Sequence, residues 1–369
     1  MIINDYLILL DVLQCYFAHI HMNNNNIRRN IMNKLTKLGV SALCGSLAAI
    51  SSANAGEMTV TGGVDMSWIS LDDETTGSPL GVGSNMTFSG SGELDNGWGV
   101  ALSIAINNKN VYSNTNVTVT VPSMGDVHVS QGVSGTGIDR FDDVTPTVWE
   151  EAYGTGLGTG IDTVAGNSAG STIEYIPNML PEGLSAYAAW TPNAAGSGSS
   201  DKGSSGDDNS VKGSGWDLAI SATDALLPVP GLTIYAGMSE TAQETTSAGF
   251  NGDKEEMTWA IKYAMGGFTV GYQYSDEDLG TATGALGYEN VAYGITFNVN
   301  DNLSVGYNNY ESEQDNDTDV TAEAQSLQVA YTMGGATIRL AEAEIDNAKY
   351  QTGSAYNREA TTLSVSLAF

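Results

Sequence analysis

A handful of stretches put side chains where their types and spacing could do chemistry. Gly166-Asn167-Ser168-Ala169-Gly170 has the G-x-S-x-G spacing of a nucleophilic serine. That chemistry needs a strained turn between a strand and a helix; neither flank reads that way, and a chain with 44 glycines produces the string by composition. Gly154 to Gly160 alternates glycine like a phosphate-cradling loop, yet no βαβ unit surrounds it. His128 lies far beyond the other histidines, in the alternating run Val127-His128-Val129. It reads as a polar residue on the inner face of a strand, and a triad or histidine metal site would have to be built on it alone. In Asp315-Asn316-Asp317-Thr318-Asp319 the carboxylates of Asp315, Asp317 and Asp319 recur at the spacing of a Ca²⁺ loop. Val320 then replaces the required Gly and Ser326 the bidentate Glu, which leaves a weak Ca²⁺ site or a hydrated acidic loop; no other cofactor is expected. The densest charge falls in Asp139, Arg140, Asp142 and Asp143, followed by Glu150 and Glu151.

Composition narrows the classes. Thirteen basic residues stand against 43 acidic ones, a formal charge of −30. Such a chain repels phosphate backbones, so nucleic acid is excluded as a partner. Beyond the N-terminal region no run of about 18 apolar residues offers a membrane helix. Near the start, Lys34 and Lys37, the apolar stretch Leu38 to Ile50 and Ala53-Asn54-Ala55 form a secretory signal. Residues 32–55 are read as that signal, with Gly56 opening the mature chain. Residues 1–31 are read as an over-long leader, because Asp5 and Asp11 interrupt their apolar run. Cys15 and Cys44 leave with this segment, so the mature chain has no thiol chemistry.

The elements that must carry these residues are strands. From Met58 onward, runs of about ten residues alternate with period two and end at Gly, Asn, Asp or Pro. The last run, Ala360 to Phe369, puts Thr361, Leu363, Val365, Leu367 and Phe369 on one face and small or polar residues on the other. The links alternate in length. Short ones such as Asp95-Asn96-Gly97, Met265-Gly266-Gly267 and Met333-Gly334-Gly335 have hairpin residues. Long polar ones include 71–83, 133–170, 191–214, 240–255, 276–287, 312–321 and 346–357. Eight long and seven short links join sixteen strands, an all-β transmembrane antiparallel barrel with short turns at one end and long loops at the other. Trp259, Ile261 and Tyr263, then Phe268, Val270, Tyr272 and Tyr274, point outward to lipid; their neighbours inside are small and polar. Glu342 and Glu344 share the outward parity, either above the lipid band or shifted by a bulge. Gly62, Gly90 and Gly92 lie outward without a side chain, a pattern suited to close contact between protein surfaces.

With signal, strand count, link alternation and a terminal aromatic, residues 56–369 resemble the general porins of the Gram-negative outer membrane. Met333-Gly334-Gly335-Ala336-Thr337-Ile338-Arg339 and Gly125-Asp126-Val127-His128-Val129 carry the more specific likeness. The resemblance implies a homotrimer of water-filled barrels for passive diffusion of small hydrophilic solutes, without catalysis, and makes Phe369 the assembly signal. It makes 133–170 the inward-folded loop, with Asp139, Arg140, Asp142, Asp143, Glu150 and Glu151 at the constriction. Relatives oppose those acids with a basic wall; here mainly Lys262, Arg339 and Arg358 have inward parity, which implies preference for cations. Two other readings stand beside it. One is a substrate-specific channel, for which the inward aromatics Tyr187, Tyr235 and Tyr310 are too scattered to form a track. The other is a secreted all-β binding or surface protein.

Overall fold

A computed structural model describes residues 55–72, 79–107, 111–167, 171–194, 212–245, 249–316 and 319–368. The leader, nearly all of the signal segment, Ser168 in the G-x-S-x-G string, Asp317 and Phe369 fall outside the described residues.

Sixteen strands close on themselves. They are β1 (Ala55–Leu71), β2 (Leu80–Glu93), β3 (Gly99–Asn107), β4 (Val111–Val121), β5 (Gly125–Gln131), β6 (Ser171–Pro177), β7 (Leu184–Thr191) and β8 (Lys212–Ala222). The second half comprises β9 (Leu232–Gln243), β10 (Lys254–Met265), β11 (Phe268–Asp278), β12 (Gly287–Asn298), β13 (Leu303–Asp315), β14 (Val320–Met333), β15 (Ala336–Asp346) and β16 (Arg358–Ala368). Each strand pairs with its neighbours in sequence, and β1 pairs antiparallel with β16 from Gly63↔Ala368 to Leu71↔Ala360. The turns at one end need little chain: Gly266 and Gly334 take φ of 60° and 61°, where a Cβ would be strained.

The register settles which face is which. Trp259↔Tyr274, Ile261↔Tyr272 and Tyr263↔Val270 lie side by side, as do Val270↔Ile295 and Phe268↔Phe297. These side chains are on the outside: Trp259 is 42% exposed, while Ala260 beside it on the inner face is 2% exposed. A sheet with its large apolar residues outside and alanine, serine, threonine and amides inside has inverted the pattern of a soluble sandwich, so the secreted all-β reading gives way. From Val299 to Val291 the outward row of β12 runs about 27 Å at 3.4 Å per residue. At a barrel tilt near 40° that is about 20 Å of depth, close to the apolar band of outer-membrane barrels. Phe268 stacks on Phe297 with centroids 4.3 Å apart at the turn end of this band, and Trp259 stacks on Tyr274 at the other.

Above the band the outward row turns acidic. Glu255, Asp276 and Glu289 follow Met257, Tyr274 and Val291. The ladder from Glu323↔Asp346 to Met333↔Ala336 has no shift, nor has that from Ile345↔Arg358 to Ala336↔Leu367. Glu342 and Glu344 therefore face outward in unbroken register, beyond the lipid band, and the bulge reading is set aside. Several strands outrun their sequence boundaries: β2 already begins at Leu80 and β9 continues to Gln243. Pairing there persists above the apolar band, where hydropathy alternation no longer marks it.

Placing an arginine at Ile295, in the middle of the lipid-facing row, should destabilise the barrel by about 2–4 kcal/mol. Thr296→Arg, one residue away and inward, should cost less than about 1 kcal/mol. Urea unfolding in lipid vesicles measures both, and equal penalties would contradict the assignment of faces.

Candidate functional site

The link between β5 and β6 enters the barrel and packs on the inner wall of several strands. Its first half contains a 3₁₀ turn, Gly137–Phe141, and its second another, Ala152–Gly154. Four inward glycines on neighbouring strands leave room for it. A Cβ on Gly237 of β9 would come within 2.9 Å of Ile138, one on Gly271 of β11 within 2.5 Å of Pro146, and one on Gly306 of β13 within 2.6 Å of Val148. On Gly294 of β12 it would collide with the Pro146 carbonyl. Any side chain at these positions would push the loop off the wall.

Long polar side chains then hold what the glycines admit. Gln273 of β11, 1% exposed, accepts from the Val144 N–H at 2.9 Å and donates to the carbonyls of Phe141 and Asp142 at 2.6 and 3.0 Å. Gln328 of β14 accepts from the Trp149 N–H at 3.0 Å and donates to the Glu150 carbonyl. Thr362 of β16 donates to Thr155 O at 3.0 Å, and Arg358 donates to Leu157 O at 3.1 Å. The returning limb is tied by Glu256 of β10, which accepts from the N–H groups of Ala165 and Gly166 at 2.9 and 3.2 Å, and by Asp217 of β8, which accepts from the Asn167 amide at 2.8 Å. Lys254 pairs with Glu256 Oε1 at 2.8 Å and reaches Glu277 at 3.2 Å. Each neutral bond contributes only about 0.5–1.5 kcal/mol net, yet leaving a buried donor or acceptor empty costs more. The loop is therefore fixed by the set.

Glu174 of β6 begins this chain of anchors. It is fully buried, accepts the Gly137 N–H at 2.9 Å, and takes Arg140 through both oxygens, Nε at 3.1 Å and Nη2 at 2.5 Å. His128 of β5 faces the same carboxylate, Nδ1 to Oε2 3.6 Å, so it lies on the inner wall. Arg140 is thus tied to a wall carboxylate and is withdrawn from the acids of its own loop.

Those acids divide. Asp139 accepts from the Gly135 N–H and serves the loop's own turn. Asp142, Asp143 and Glu151 form one cluster: burial first and Asp143 second push the Asp142 carboxyl up to about 8, and the same two causes push Glu151 up to about 7. Glu150 is raised by burial and drawn back by Arg339. Of the three basic wall residues, Arg339 of β15 pairs with Asp65 of β1 at 2.8 Å, Arg358 holds the loop, and Lys262 of β10 lies with its ammonium 5.3 Å over the Tyr235 ring. They are spread around the barrel and do not form a cluster. The described residues of β2 to β5 include no Lys or Arg at all.

The inward tyrosines are less scattered than their sequence positions suggest. Phe141 packs edge-on against both Tyr187 and Tyr235, with centroids 6.1 and 5.2 Å away, and Tyr153 does the same to Tyr310 at 4.8 Å. They pin the loop; edge-on packing does not present a run of ring faces. Among the described residues no group of three His, Cys, Asp or Glu side chains is arranged to hold a metal. Sequence reasoning missed Glu174, Asp217, Glu256, Gln273 and Gln328. Their signal was a long polar residue at inward parity in strands whose other inward residues are small.

A closed sixteen-stranded barrel, apolar outside, polar inside and crossed by an inward loop, is the architecture of an outer-membrane channel. The Gram-negative porin profile matches residues 39–351, and the chain belongs to that family of the outer membrane. A search of curated proteins returned no match. Solved structures share the fold at low identity. OmpT of Vibrio cholerae is 14% identical over 86% of this chain and 99% of its own, with a TM-score of 0.62. OmpF of Salmonella typhi, solved with daunomycin, is 12% identical over 85% and 98%, with a TM-score of 0.64. An anion-selective porin from Comamonas acidovorans is 15% identical over 85% and 100%, with a TM-score of 0.61.

Gly294→Val should displace the loop at Pro146. A cysteine placed at Thr147, in a chain with Cys15 and Cys44 replaced by serine, should then react several-fold faster with a hydrophilic maleimide than the same cysteine beside Gly294. Equal rates would show that the glycine seat does not hold the loop.

Proposed function

We propose that the protein is a passive diffusion channel for small hydrophilic solutes that favours cations and works as a homotrimer. The observation that carries the reading is the pairing of an acid-bearing loop with a wall whose cations are few and mostly engaged elsewhere, Arg339 with Asp65 and Arg358 with the loop backbone. Asp142, Asp143, Glu150 and Glu151 stand on the loop, while the inward residues described on β2 to β5 are uncharged except Glu93, Asp126 and His128. With Arg140 bound to Glu174 and Arg339 to Asp65, the passage beside the loop carries net negative potential, and a narrow low-dielectric passage concentrates it. Catalysis has no part in this reading. For assembly, the outward glycines Gly62, Gly90 and Gly92 on β1 and β2 give a flat patch for a second copy; a Cβ on Gly90 would meet nothing within 4 Å. Phe369 remains the proposed assembly signal, and a weakly held Ca²⁺ at Asp315, Asp317 and Asp319 is an accessory reading.

Planar-bilayer recording tests the channel directly: purified folded protein should give stepwise conductance, and its absence would reject the proposal. Neutralising Asp142, Asp143, Glu150 and Glu151 together should lower the cation-to-anion permeability ratio several-fold, whereas an unchanged reversal potential would remove these acids from the passage.

The same acids set a pH dependence. A carboxyl raised by burial is neutral below its pKa and charged above it, so cation preference should rise as pH passes through about 7 and then about 8. Reversal potentials measured across that interval check it; a flat profile contradicts it.

A further inference from the structure

Beneath the loop, toward the short-turn end, the inner faces of β9 to β12 and the segment Arg140 to Thr147 enclose an open recess of about 570 Å³. This falls within the size range of sites for small organic ligands. Five threonines, Thr145, Thr147, Thr233, Thr269 and Thr296, contribute hydroxyls that donate or accept. Lys262 contributes a cation and Asp143 a carboxylate. Arg140 also borders the recess, but Glu174 holds it.

Lys262 is the unusual member. Among the described residues no carboxylate lies within ion-pair distance of it, in a chain with 43 acidic residues. Its Nζ rests 5.3 Å over Tyr235, a cation–π contact that positions the ammonium without consuming its charge. Register makes Thr233 its direct partner on β9 and Gly271 its partner on β11, so one side of the side chain is hydroxylated and the other is bordered by the loop at Pro146. Asp143 faces the recess from the loop, and its neighbours Asp142 and Glu151 are themselves pushed toward the neutral form by burial and by Asp143.

Net charge decides which solute this suits. A simple anion on Lys262 would sit in the same recess as the Asp143 carboxylate, and a simple cation on Asp143 in the same recess as the Lys262 ammonium. A neutral polyol would meet both through hydrogen bonds alone, without pairing either charge. We infer that the recess is a subsite for a small zwitterion, with its carboxylate on Lys262, its ammonium on Asp143 and its remaining polar atoms on the threonine hydroxyls. The inference rests on the diffusion-channel reading and adds to it a class of preferred solute.

The test is KCl current through the purified protein in a planar bilayer, with glycine, β-alanine and 6-aminohexanoate as probes of increasing charge separation. Glycerol, acetate and methylammonium serve as single-feature comparisons. At least one ω-amino acid should reduce the current saturably, and more strongly than all three comparisons. Lys262→Met and Asp143→Asn should each raise its half-saturating concentration by about tenfold or more, the KCl steps of each variant showing that it has folded and inserted. The inference is overturned if no zwitterion saturates, if saturation survives both substitutions, or if acetate binds as tightly as the amino acids. Absence of any KCl steps from the unmodified protein would instead overturn the channel reading, and this inference with it.

Discussion

Everything in this molecule depends on the closure between its first and last strands. In hydrocarbon an unpaired backbone N–H or C=O costs several kcal/mol, so a sheet can cross a membrane only if it has no edge. The pairing of Gly63 to Leu71 with Ala360 to Ala368 removes both edges at once. Closure also explains why the period-two pattern runs unbroken to the end of the chain. A final strand that slipped by one residue would turn Leu363, Val365 and Leu367 into the lumen and Ser364 and Ser366 into lipid.

Closure creates an interior that an apolar cluster around Ala152, Leu157, Ile345 and Tyr350 fills only in part, and the chain fills the rest selectively. Glycines at 237, 271, 294 and 306 remove wall volume along the path of the loop, and amide or carboxylate side chains at 174, 217, 256, 273 and 328 bind its backbone. The charged members are paired or bonded, as buried charges must be: Glu174 with Arg140, Glu256 with Lys254, and Asp217 with Asn167 and Ser239. Using basic residues as anchors has a functional consequence. Arg140 and Arg358 are committed to holding the loop, Lys254 to the acids beneath its returning limb, and Arg339 to Asp65. The loop's own carboxylates are left without a matching cluster across the passage.

The barrel was legible in the sequence because its determinants are local. Side-chain alternation and hairpin glycines both act within about ten residues, and together they yielded the strand count, the order and the two faces. Strand limits were less legible where polar residues continue the ladder above the lipid, as at Glu240 to Gln243. The route of the loop was not legible at all, because it is written in contacts such as Gln273 with Phe141, 132 positions apart. For the same reason Tyr187 and Tyr235 looked isolated in the sequence; Phe141 joins them only after the loop has turned inward. Glu174, between Ile173 and Tyr175, was missed because its partner Arg140 lies 34 positions away.

The central claim is that the large apolar side chains face lipid and the interior is wet. The most direct measurement is fluorescence quenching of a variant that retains Trp259 alone, folded into vesicles. Brominated acyl chains should quench it strongly and aqueous acrylamide weakly. Strong quenching by acrylamide with no effect of the brominated lipid would place that face in water and contradict the account.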